Sequence, residues 1–260
     1  MGSASIDQAN DTLTFPSKAL NNDGSPNVLL VVHDDTGHDQ TTGVLNPRGI
    51  LEARLLSTSP SSNETSAPEF THWRVAGTAG GESDLDPVRG VYNEDGLYAE
   101  RVGWHLPGFD DNDWELLKSG ENSSLSFTGA TVKFFRTVIP PLSIPEGVDV
   151  SISFVFSAAS NNNSNSDTTA FRAQLFVNGY QYGRYNPYVG NQVVYPVPPG
   201  VLDYNEENTI GVAVWAQTEA GARLSLDWKV NYVLDSSLDA RGLDVGGLRP
   251  GWSKEREKFA

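Results

Sequence analysis

Residues 171–215, FRAQLFVNGYQYGRYNPYVGNQVVYPVPPGVLDYNEENTIGVAVW, decide the fold class. An apolar run meets Asn178-Gly179 and resumes as Tyr180-Gln-Tyr-Gly-Arg-Tyr185. Asn-Gly between two β-rich runs suits the positive φ that a type I′ turn requires at both central positions, so a hairpin is predicted here. Further on, Thr209-Ile-Gly-Val-Ala-Val-Trp215 has the continuous apolar character of a strand buried in a sheet.

Working outward, residues 148–156 (VDVSISFVF) alternate almost strictly, which sends Val148, Val150, Ile152, Phe154 and Phe156 to one core-facing side. Further strands are expected over 71–75, 97–102, 124–127, 133–138, 170–177, 180–185, 192–197, 208–215 and 224–233. Short strands at this spacing, parted by Gly, Pro and Asn clusters, predict an all-β jelly-roll sandwich. No segment sustains a helical period. A complete sandwich is expected over 70–233, with 234–260 as an arm that packs on the surface or frays.

Residues 58–69 have linker composition, rich in Ser, Pro, Asn and Thr. Before them, 27–33 (NVLLVVH) and 50–56 (ILEARLL) read as strands of a second, partial sandwich over 6–57. Some 50 residues hold too little core to stand alone and leave a sheet edge open, so completion by other polypeptide or by a second copy is expected. Residues 1–5, Met-Gly-Ser-Ala-Ser, read as a scar outside the fold and have neither the basic nor the apolar region of a secretory leader.

The formal net charge is −15, and Lys and Arg are too sparse to neutralise a phosphate backbone or an anionic bilayer, so neither nucleic acid nor membrane is expected as a partner. With no cysteine, disulfides, thiolate catalysis and Cys-based zinc sites are excluded. Four Asn-x-Ser/Thr sequons, at Asn10, Asn63, Asn122 and Asn162, lie in polar turn-rich settings; together they point to a secreted glycoprotein.

Aromatic faces that stack on sugar C–H patches, mixed with fork-shaped polar groups, suit a carbohydrate. The candidates are Tyr185, Tyr188, Arg184 and Gln192 around the hairpin, with Trp104 and Trp114 flanking the acidic loop Asp110-Asp-Asn-Asp113. Against this, tyrosines in a sandwich mostly fill its core, and loop carboxylates are mostly solvated. The acidic loop lacks the glycine and terminal glutamate of a calcium loop. His33-Asp-Asp-Thr-Gly-His38-Asp39 is explained equally well by a turn. No metal, cofactor, catalytic triad or facing acid pair is assigned.

Taken together, Asp86-Pro-Val-Arg-Gly90, Asn93-Glu-Asp-Gly-Leu-Tyr-Ala-Glu-Arg101, Gly103-Trp-His105, residues 171–183, Gln192, Tyr195-Pro-Val-Pro198 and Ala213-Val-Trp-Ala-Gln217 resemble the C-terminal jelly-roll region of the secreted fungal β-galactosidases of glycoside hydrolase family 35. Upstream, Thr12-Leu-Thr-Phe15, Val31-Val-His-Asp-Asp-Thr-Gly37 and Asn46-Pro-Arg-Gly-Ile-Leu51 resemble the last strands of the preceding jelly roll. The resemblance implies a galactose-binding-like fold that packs against a TIM barrel. In that family the barrel carries the two catalytic glutamates, and none of them maps onto this sequence. The expected function is therefore a non-catalytic accessory sandwich that contacts galactosides. The alternatives are an independent lectin-like module for galactose-containing saccharides and, third, a fragment with hydrolase activity of its own.

Overall fold

The computed structural model describes residues 12–15, 18–21, 23–31, 50–58, 65–74, 98–117, 124–158, 171–187, 191–198, 200–235 and 250–259. The chain forms two compact units, Phe15–Gly77 and the remainder. In the smaller unit, β1 (Ser57–Thr58) pairs antiparallel with β2 (Thr65–Ser66). A turn at Asp23-Gly24 is closed by Asn21 and Asn27: the Asn21 amide donates to Asn27 Oδ1 at 2.7 Å, and Asn27 Nδ2 donates back to Asn21 O.

The described parts of the expected strands 27–33, 50–56 and 71–75 carry no ladder. Val28 and Leu30 are 90% and 82% exposed. β-Rich sequence becomes a strand only when a neighbour accepts and donates its backbone hydrogen bonds, and among the described residues of this unit no strand pairs with these runs.

Among the described residues, the larger unit is a sandwich of eight strands. One sheet runs β3 (Ser124–Phe127), β10 (Ala222–Asp235), β5 (Val148–Ala158), β8 (Val194–Pro196); the other runs β4 (Val132–Ile139), β9 (Asn208–Ala216), β6 (Phe171–Val177), β7 (Tyr180–Tyr185). All pairings are antiparallel. The expected all-β jelly-roll architecture is what the chain adopts.

The alternation in β5 works as expected. Ile152, Phe154 and Phe156 are buried, while Val148 and Val150 are half-buried toward the open end of the sheet. They meet Phe171, Leu175, Val212 and Val214 of the other sheet in one apolar cluster. The hairpin is also as expected: Asn178 and Gly179 have φ of 48° and 86°, a pair of left-handed residues. Asn178 further accepts from Thr209 N at 2.9 Å and donates to Val201 O at 2.7 Å, tying the turn to the start of β9.

The described part of the expected strand 97–102 is not a strand. Tyr98–Val102 is the helix α1. It ends in a Schellman cap, with Gly103 N donating to Glu100 O, Trp104 N to Ala99 O, and Gly103 at φ 87°. The arm expected over 234–260 is described at its two ends. Its start, through Asp235, continues β10, and Lys254–Phe259 forms a 3-10 helix against α1.

Candidate functional site

Alternation in β6 sorts its side chains. Phe171, Ala173, Leu175 and Val177 enter the core cluster; Arg172, Gln174 and Phe176 face the other way. On that outer face Phe176 and Phe134 lie 5.9 Å apart, and the segment after α1 covers them. His105 is fully buried with its ring 4.9 Å from Phe176, and Trp104 packs edge-on against Phe134.

Arg136, on β4, holds this segment down. Its guanidinium donates to Trp104 O and Leu106 O, both at 3.1 Å, and to Asp111 Oδ2 at 2.7 Å, with its side chain only 5% exposed. The acidic loop is thus structural. Asp111 neutralises a buried cation, and Asp110 Oδ1 accepts from Asn112 N and Nδ2 in an Asx turn. Among the described residues no cluster of three or more His, Asp or Glu could hold a metal.

Trp104 and Trp114 are brought together, ring centroids 5.0 Å apart at 76°. Both are half-buried, and Tyr98, Phe109 and Phe134 hem them in edge-on. Their faces are largely spent on each other, so they form an aromatic knot rather than a flat platform.

Around the hairpin the candidates separate. Tyr185 is a core residue, 3% exposed, stacked on Phe156 at 4.9 Å and edge-on to Phe171, so its ring has no face left for a sugar. Register decides this. Leu175 pairs with Gly183 but Phe176 with Gln181, so Tyr182 is the extra residue of a bulge and Tyr185 falls opposite inward-facing Ala173. Arg184 and Gln192 are exposed and neighbours, because the Tyr195 hydroxyl donates to Arg184 O at 2.8 Å and also reaches Gln192 O. Gly183 makes room for the Tyr195 ring; a Cβ there would lie 2.4 Å from Tyr195 Cδ1. Tyr188, the four sequon asparagines and the His33–Asp39 turn lie outside the described residues.

Sequence reasoning missed one pair. The Arg172 guanidinium lies 3.9 Å over the Trp215 ring, the two residues being direct register partners on the outer face. Gln174 and Arg184 are partners on the same face. The signal was available: Arg172 and Trp215 are off-phase in strands whose other alternate residues are core.

The buried phenol of Tyr195 is pushed up to about 12, first by burial and then by neighbouring Tyr185. The folded state therefore keeps a proton that the unfolded chain loses near pH 10, so stability present at neutral pH is expected to fall as pH rises from about 10 to 12. Chemical denaturation across that range should show the decline, and Tyr195→Phe should make it shallower.

Residues 98–220 match the family described as the β-galactosidase second all-β domain. The chain is 79% identical to a probable β-galactosidase B of Emericella nidulans, over 94% of this chain and 24% of that one. It is 70% identical to the probable β-galactosidase B of Aspergillus niger, over 100% and 25%. The chain is thus similar to a stretch of fungal β-galactosidase B, and residues 98–220 carry the match to the second all-β domain. It spans about a quarter of the length of these curated relatives. A solved family 35 carbohydrate binding module overlays 51% of this chain and 89% of its own, with 16% identity and a TM-score of 0.28.

Proposed function

We propose that this chain is a non-catalytic accessory sandwich of a secreted family 35 β-galactosidase, packing against the part of the enzyme that carries the chemistry. What carries this reading is that 94% or more of the chain aligns at 70–79% identity with only a quarter of each relative. The carboxylates fit it. Asp111 is spent on Arg136, and Asp110 and Asp203 accept backbone amides in turns, which are positioning roles rather than an acid and a nucleophile held across a cleft. The exposed apolar residues of 27–31 fit it too, as a run that completes a sheet supplied by the preceding polypeptide.

A lectin-like role is the second reading, favoured by exposed Arg184 and Gln192 and by the half-buried Arg172 and Trp215 on the outer face. The purified chain is expected to release no nitrophenol from nitrophenyl β-galactoside. A clear rate that survives rigorous purification would sink the accessory reading. Calorimetry with galactose, lactose and galactan at millimolar sugar separates the two roles, since saturable heat is required only by the second.

A further inference from the structure

Strand β10 is 14 residues long, and β3 covers only its first four, Ala222–Ser225. On its other edge β5 pairs with it as far as Asp235. Among the described residues, no strand pairs with the β3-side edge of β10 from Leu226 onward. The core-side row of this half is apolar, while its outer side carries Asp227 and Lys229 before the bulge and apolar residues after it. Trp228, Val230 and Val233 stand opposite Phe154, Ile152 and Val150 on the core side; past the bulge at Asn231, Tyr232 and Leu234 stand opposite Ser151 and Asp149 on the outer side. All five are 47–60% exposed.

A core-side apolar row is ordinarily enclosed by a facing layer, so Trp228, Val230 and Val233, exposed on that side, mark a surface left for another segment to cover. An open edge beside such a strand is ordinarily blunted or covered, since it offers unpaired amides and carbonyls to any extended segment. We infer that the second half of β10, Leu226–Asp235, is a docking edge for the rest of a β-galactosidase polypeptide, which adds an extended segment along it and buries Trp228 and Val230.

Two observations select this occupant. The matched relatives carry about three quarters of their length outside this region, so polypeptide is available to cover the edge. A second copy is disfavoured, because each chain brings a net charge of −15. The inference rests on the accessory reading above and assigns it a surface.

The test mixes the whole 260-residue chain with the 79%-identical relative expressed without its matching quarter. A one-to-one complex is expected by size exclusion with light scattering, with amide exchange in residues 226–235 slowed about tenfold or more on mixing. Val230→Lys combined with Val233→Lys changes two exposed positions, so the chain should keep its melting temperature while affinity falls about tenfold or more. A complex that forms equally well with the folded double variant overturns the edge and leaves the accessory reading standing. No complex with the wild-type chain overturns both. If the amides of 226–235 that point away from β5 were already protected in the chain alone, or a homodimer were lost in the double variant, the chain itself would cover the edge and the assignment would be overturned.

Discussion

Gly221→Val is expected to cost at least about 3 kcal/mol and to lower the melting temperature by roughly 6–12 °C. Gly221 sits at φ 81° in the turn entering β10, and a Cβ there would lie 1.9 Å from Phe127 O and 2.6 Å from Thr128 Cα. Those are backbone atoms of β3 and the turn that follows it, so no rotamer change relieves the clash. Either the β3–β10 pairing at Ala222 and Phe127 opens or the turn is rebuilt. Gly251→Ala is the control. It has nothing within 4 Å of its Cβ position and should shift the melting temperature little. A thermal melt followed by near-ultraviolet circular dichroism reads both, and equal shifts would remove the steric argument.

Phe156→Ala is expected to cost about 3–5 kcal/mol. Phe156 is 1% exposed, stacks on Tyr185 at an interplanar angle of 6°, and meets the Tyr195 ring edge-on at 5.7 Å. It therefore joins β5 of one sheet to β7 of the other and to β8 beside it. Truncation leaves a cavity walled by two tyrosines whose positions are fixed by strand register, so collapse is limited. Phe156→Leu keeps most of the volume and should recover more than half of the loss in urea unfolding. If alanine and leucine behaved alike, the cavity argument would fail and the loss would belong to the ring contacts with Tyr185 and Tyr195.

What was legible in the sequence was local. The alternation in β5 and the Asn178-Gly179 turn announce themselves within ten residues, because the period of two and the positive φ are properties of the segment itself. What was not legible depended on distant partners. Residues 98–102 are too few for period to separate helix from strand; Gly103 supplies the cap, and the outer face bearing Phe134 and Phe176 supplies the surface beneath the segment that follows. Register sets which way the hairpin candidates face. One bulge residue, Tyr182, decides that Tyr185 turns inward while Arg184 stays in solvent, and nothing in YQYGRY marks where a bulge falls. The strand-like runs of the smaller unit show the complementary case, in which sequence records a preference that only a neighbouring strand can realise.

The ties between α1 and the segment carrying Trp252 bear on the order of assembly. Trp252 Nε1 donates to Val102 O and Arg256 to Glu100 O, joining residues 150 and 156 positions apart. These bonds close the largest loops described in the sandwich unit, and their closure entropy is met only after both sheets have brought the ends together. The clasp is thus a late event in folding and an early one in unfolding. Limited proteolysis should nick the chain near Gly251 before it touches β5 or β9, releasing α1 from a sandwich that is still intact.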